Sequence, residues 1–203
     1  MLEIFAHRAL LNGVENHVET IPHFKKLNIG IELDLRYCER GPYISHDISE
    51  KGDLFEDVCK ICSNSNIRMA LHIKEIEAIN DTIKLLKKYS LKNYFLFNTE
   101  NYDLSKRVDE NFVASYVTKK QDKKDTNLLW CDEIGEKWYT SELISDLHKQ
   151  KKIIYGMSLE VVKTCNESEI IKEWERLIDL GIDGICTKFP EKLDIFVKEG
   201  VLN

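Results

Sequence analysis

Hydrophobic and polar positions along the chain fall into a recurring unit. A short run rich in β-branched and aromatic residues is followed by a stretch with apolar residues at helical spacing. The runs lie at 2–7, 30–35, 67–74, 93–98, 112–118, 127–132, 152–159 and 183–187, with the length and composition of buried strands. Between them, 16–28, 53–64, 75–90, 101–109, 139–151 and 167–180 carry apolar residues at the period of one helix face. Ile76, Ile79, Ile83 and Leu86 show the spacing, as do Ile170, Ile171, Trp174, Leu177 and Ile178. Eight strands alternating with helices predict parallel pairing through right-handed crossovers. A (β/α)8 barrel and an open doubly wound sheet both satisfy that order. The open sheet would be favoured by a glycine-rich phosphate turn after its first strand, and Ala9-Leu10-Leu11-Asn12-Gly13 has no such pattern. The expected fold is therefore α/β, a (β/α)8 TIM barrel. Its loops must be short, since such barrels typically take ~250 residues and this chain has 203.

Composition narrows the picture. Three prolines, nine glycines and the lack of a Pro/Gly/Ser-rich linker predict a single domain over 1–203. Hydrophobic residues at 43% and charged residues at 32% exclude a disordered or fibrous chain. A net charge of −6, from 29 basic and 35 acidic residues, argues against a nucleic-acid surface spread over the protein but permits a local basic pocket. The mixed-charge stretch 119–125 reads as a solvated connection. No apolar run approaches the ~20 residues of a membrane span, and residues 1–8 have no basic leader or cleavage site. The expected location is cytoplasmic. Six cysteines include one close pair, Cys59-Lys60-Ile61-Cys62, with no second pair at zinc spacing. They read as reduced thiols that partly fill the core.

Polar residues that interrupt the strand pattern carry the candidate chemistry. The first strand ends in His7-Arg8. The second reads Ile31-Glu32-Leu33-Asp34-Leu35, with both carboxylates on one face. Next comes the extended run Gly41-Pro42-Tyr43-Ile44-Ser45-His46-Asp47, and the third strand ends in Leu71-His72-Ile73-Lys74. In a barrel these ends converge at the C-terminal mouth, where such folds place their sites. Glu32 and Asp34 would repel unless a cation neutralised them, and two oxygen donors suit Mg²⁺ or Ca²⁺. Arg8 and Lys74 suit an anionic substrate, Arg holding phosphate through two hydrogen bonds. His7 and His46 can exchange protons near neutral pH. Each feature alone has a plainer reading as an ion pair or strand cap, and His17, His23 and His148 read as surface residues. The ordered combination across three strand ends describes a phosphoryl-transfer site.

The same residues resemble a known family. His7-Arg8, Glu15-Asn16, Glu32-Leu33-Asp34 and the run from Gly41 to His46-Asp47 look like the H-R, E-N, E-x-D and glycine-turn H-D pattern of the glycerophosphodiester phosphodiesterases. That family belongs to the phosphatidylinositol-phospholipase-C-like superfamily. Gly181-Ile182-Asp183-Gly184-Ile185-Cys186-Thr187-Lys188-Phe189-Pro190 is similar to its closing G-V-D-G-I-x-T-D-x-P segment, and Phe97-Asn98 to its S-F-N. The resemblance implies the barrel, His7 and His46 as general acid and base, and Arg8 on the phosphate. It also implies Glu32 and Asp34 as ligands of a divalent metal and Glu15 as a helix-start glutamate beside the site. The implied reaction converts a glycerophosphodiester, or a related small or cell-envelope phosphodiester, to glycerol 3-phosphate and an alcohol. Attack by the glycerol 2-hydroxyl through a cyclic phosphate is the mechanism commonly proposed for the family. The partner is then a small phosphodiester, with no nucleic acid and no stable membrane insertion.

Three positions depart from the family pattern. The glutamate of its E-x-K, a third metal ligand, is His72 here, with Lys74 kept. Its W-T-V-N/D segment is Met157-Ser158-Leu159-Glu160, and the aspartate of the closing motif is Lys188. If His72 ligates the ion, Mn²⁺ or Zn²⁺ tolerates imidazole better than Mg²⁺ or Ca²⁺ does. Otherwise it hydrogen-bonds a phosphate oxygen or Asp34. Two further readings keep the barrel: a headgroup-cleaving enzyme like the phospholipase D toxins, and a sugar-phosphate- or phosphodiester-binding protein with weakened turnover.

Overall fold

A computed structural model describes residues 2–49, 51–99, 103–120 and 125–200. In chain order its elements begin with β1 (Glu3–Ala6), α1 (Ile21–Leu27), β2 (Gly30–Cys38), β3 (Gly41–Ile44) and β4 (Asp53–Leu54). They continue with α2 (Phe55–Cys62), β5 (Met69–Ile73), α3 (Ala78–Lys88), β6 (Tyr94–Phe97), β7 (Ala114–Val117) and β8 (Leu128–Cys131). The last are α4 (Ser141–Lys149), β9 (Ile153–Met157), α5 (Leu159–Val162), α6 (Glu167–Asp179), β10 (Gly184–Thr187) and α7 (Pro190–Gly200).

Every predicted strand run contains a strand, in the α/β alternation of the (β/α)8 class. Five of the six predicted helical stretches contain an α-helix, and 101–109 is the exception. There the described residues form one 3₁₀ turn, Leu104–Lys106, and 101–102 lie outside the described residues. Leu104 and Val108 are its buried apolar residues, too little burial to offset the cost of nucleating a helix. Positions 121–124 of the predicted solvated connection likewise lie outside the described residues. The β3–β4 hairpin, α5 and α7 are additions to the predicted elements.

The chain divides into two compact units, Ala6–Val113 and a second comprising Met1–Phe5 with Ala114–Asn203. In the first, β2 is central. It pairs antiparallel with β3, opposing Leu35 to Ile44, and β3 pairs antiparallel with β4. On its other edge β2 runs parallel to β5, and β5 parallel to β6. Residues 30–35 of β2 are all buried, as expected of a strand covered on both faces. Phe55, Val58, Cys59 and Cys62 form the buried stripe of α2, and Ala78, Ile79, Thr82 and Leu86 that of α3. Cys59 and Cys62 are free thiols, and burial pushes both up, Cys62 to about 11. They are core residues, as the sequence predicts.

In the second unit the strand order is β1-β10-β9-β8-β7, with β7 through β10 parallel. Val117, Leu129, Cys131, Ile154 and Ile185 pack against Ile144, Leu147, Trp174, Leu177 and Leu193 of α4, α6 and α7. Alternation turns Trp130 and Tyr155 to the opposite face, where Phe5 meets them edge-on at 5.7 and 5.2 Å. Gly184 lets β1 approach β10, because a Cβ there would lie 2.8 Å from the Glu3 carbonyl oxygen.

Candidate active site

The candidate site is built within Ala6–Val113. Strand alternation puts Glu32 and Asp34 on one face of β2, and the parallel register sets Asp34 opposite His72 on β5. The His72 ring stacks on Phe97, its register partner on β6, with centroids 4.7 Å apart. Its Nδ1 lies 3.0 Å from Asp34 Oδ1 and its Nε2 3.3 Å from Thr99 Oγ1.

The chain leaves β1 through a tight turn, His7–Ala9, in which Arg8 and Ala9 adopt φ of 53° and 46°. This left-handed region is costly for residues with a Cβ, and the contacts made there offset the strain. The Arg8 N–H donates to Glu32 Oε2 at 2.8 Å. Its guanidinium donates to Glu15 Oε1 at 2.9 Å and brings Nε to 3.4 Å from Asp34 Oδ2. His7 Nε2 stands 4.0 Å from Glu32 Oε2. Asn16 ties the same turn to β2: its Nδ2 donates to Asp34 Oδ2 at 3.0 Å, and its Oδ1 accepts the Asp34 N–H at 3.1 Å.

Glu32, Asp34 and His72 are almost fully buried, and their ligand atoms lie within 4.8 Å of one another. Burial, reinforced by the Asp34 charge, pushes the Glu32 carboxyl well above its ordinary range, against the opposing pull of Arg8 and Lys74. Burial alone would raise Asp34 too. Hydrogen bonds from His72 and Asn16, with the charges of His72 and Arg8, instead hold it below the usual carboxylate range. Burial lowers the His72 imidazole despite its bond to Asp34. Two buried carboxylates and an imidazole form a donor set that fits a divalent cation, which would relieve the repulsion that raises Glu32.

The remaining predicted residues stand around this cluster. Lys74 follows β5, and its charge acts on both Glu32 and His72. His46 lies just beyond β3 with a 39% exposed side chain, its Nδ1 2.9 Å from Asp47 Oδ1, and its charge acts on His72. Glu15 starts no helix. It sits on an exposed turn ahead of the 3₁₀ segment Val18–Thr20 and reaches Arg8 from there. Sequence reading assigned no role to Asn16 or Thr99, nor to Arg36, although alternation places Arg36 on the face of Glu32 and Asp34.

In the other unit, the departure at Met157–Glu160 closes a buried network. Glu160 Oε1 accepts from Thr187 Oγ1 at 2.5 Å and from the Lys188 N–H at 3.0 Å. Its Oε2 accepts from the Ser158 hydroxyl, whose oxygen accepts from Trp174 Nε1 at 2.8 Å. These bonds tie the ends of β9 and β10 to α6.

No family model matches the chain, and no curated protein is significantly similar to it in sequence. Solved structures are similar in fold. A putative glycerophosphoryl diester phosphodiesterase from Agrobacterium tumefaciens str. C58 covers 100% of both chains at TM-score 0.75 and 13% identity. A glycerophosphodiester phosphodiesterase from Parabacteroides distasonis ATCC 8503 covers 98% of both at TM-score 0.73 and 14% identity. The chain has the fold of the glycerophosphodiester phosphodiesterases. A Ca²⁺-dependent phosphatidylinositol-specific phospholipase C from Streptomyces antibioticus is similar over 95% of both chains at TM-score 0.55 and 8% identity. The glycerophosphodiester phosphodiesterase fold is an α/β barrel of the (β/α)8 class, as the strand and helix order predicts. Among the described residues no helix is long and apolar enough to cross a membrane.

Proposed function

We propose that this chain, acting as one domain, is a metal-assisted phosphodiesterase that hydrolyses a glycerophosphodiester or a related small phosphodiester. The observation that carries the reading is the buried set of Glu32, Asp34 and His72 beside Arg8, in the fold of the glycerophosphodiester phosphodiesterases. Arg8, oriented by Glu15 and Asp34, binds a phosphate oxygen, and Lys74 adds positive charge. Glu32, Asp34 and His72 would hold the metal. When bound, a divalent cation offsets negative charge that develops on the phosphoryl oxygens. His7 and His46 serve as the proton-exchanging pair, one accepting a proton from the attacking hydroxyl and the other donating one to the departing oxygen. Oxygen donors favour Mg²⁺ or Ca²⁺, and the His72 imidazole extends the range to Mn²⁺.

The test is a screen of glycerophosphodiesters against Mg²⁺, Ca²⁺ and Mn²⁺. Metal-dependent release of glycerol 3-phosphate is expected. His7→Ala and His46→Ala should each lower turnover by about 10²–10⁴-fold while leaving the melting temperature nearly unchanged. Binding without cleavage under every metal would overturn the reading in favour of a phosphodiester-binding protein.

A further inference from the structure

Besides the turn after β1 with His7 and Arg8, three segments carry the proposed site: β2 with Glu32 and Asp34, the loop after β3 with His46, and the end of β5 with His72, followed by Lys74. Arg36 joins them. It lies two residues beyond Asp34 on the same face of β2, and its side chain is 15% exposed. Its Nε and one terminal nitrogen donate to the His46 carbonyl oxygen at 2.9 and 2.8 Å. The other terminal nitrogen donates to Glu75 Oε1 at 2.7 Å. Glu75 directly follows Lys74, and its second oxygen accepts the Tyr37 N–H at 2.7 Å, so both ends of the ion pair are held by β2.

The contrast with the rest of the His46 loop matters. The side-chain partner of His46 is Asp47, which is 89% exposed, and an exposed pair of that kind restrains little. A planar guanidinium that donates twice to one carbonyl and once to a carboxylate has little freedom to rotate. The backbone clamp thus sets where the His46 ring can reach.

We propose that Arg36, braced by Glu75, is the positioning residue for His46. The proposal rests on the phosphodiesterase reading, in which His46 moves a proton, and assigns Arg36 no contact with substrate. Misplacing a proton-transfer group by about 1 Å costs rate far more than binding. Arg36→Ala should therefore lower kcat about tenfold or more, with KM changed by less than about twofold. Arg36→Lys, which keeps one donor, should recover part of the loss. In a His46→Ala background, Arg36→Ala should add nothing further.

A second measurement does not depend on turnover. In wild type and in the gentler variant Glu75→Gln, the ring ¹H–¹⁵N signals of His46 are compared with those of His148 in the other unit. The His46 signals should shift or broaden while those of His148 stay in place. Additive losses in the Arg36→Ala, His46→Ala double variant would overturn the proposal, as would unchanged His46 signals in both Glu75→Gln and Arg36→Ala. If wild type cleaves no phosphodiester, the function reading fails and the ring signals alone decide the brace.

Discussion

Glu32 and Asp34 are buried side by side, yet they respond in opposite directions. Asp34 has three donors close at hand, from Asn16, His72 and Arg8, and stays ionised. Glu32 has the Arg8 N–H and a second carboxylate for a neighbour, and is pushed toward its protonated form. A divalent ion should reverse that imbalance. Added at about 100 times its Kd, it stabilises the folded state by about 2.7 kcal/mol, or about 5–10 °C in a chain of this size. The Glu32→Gln, Asp34→Asn double variant should lose this thermal shift, and an intact shift in that variant would remove the metal from these residues. On the proposed reading, His72 would set which ion benefits. Its Nδ1 lies against Asp34 and its Nε2 near Thr99. His72→Glu adds a hard oxygen ligand, so the thermal shift should grow with Ca²⁺ or Mg²⁺ relative to Mn²⁺. An unchanged order of the three shifts would show that His72 does not touch the ion.

The elements that hold these residues were legible to different degrees. β2 and β5 are legible in sequence because period-2 alternation and a continuous apolar run are local properties. β3 is legible in sequence only as an extended run, since its antiparallel pairing with β2 depends on Gly41 at φ 107° turning the chain back. The segment from His7 to Asn16 after β1 places Arg8, Ala9, Asn12 and Asn16 at positive φ. Asn16 sits there at φ 49° and exchanges two hydrogen bonds with buried Asp34. Asn16→Ala leaves the Asp34 N–H unsatisfied and puts alanine in the left-handed region, which together should cost about 2–4 kcal/mol in urea unfolding. Asn16→Gly, free of the backbone penalty, should recover about 1 kcal/mol of that. Equal losses in the two variants would show that the hydrogen bonds, not the backbone, account for the cost.

At the scale of the molecule, stability depends on charges buried far along the chain from Glu32 and Asp34. In the unit containing Ala114–Asn203, Asp132 follows β8, is 6% exposed and is pushed up to about 6 by burial, with Glu133 adding to the effect and the Tyr116 hydroxyl opposing it. The unfolded carboxyl ionises near its ordinary value, so between that value and pH 6 the folded state holds more protons and stability falls as pH rises. The full loss corresponds to about 3 kcal/mol. Asp132→Asn keeps an acceptor for Tyr116 and should be more stable than wild type at pH 7 but not at pH 3.5. An equal gain at both values would contradict a titrating Asp132.

The sequence by itself determined where the strands lie, which residue types stand at their ends and which family they resemble, because those signals repeat within a few residues. Tertiary structure decided the rest. The pairing of His72 with Asp34 spans 38 positions, and that of Arg36 with Glu75 spans 39. Such contacts follow from the register of whole strands, and no local pattern encodes which donor meets which oxygen. The same reason explains Glu160, which local sequence presents as a substituted site residue. Only the packed ends of β9 and β10 reveal the Ser158, Thr187 and Lys188 donors that enclose it.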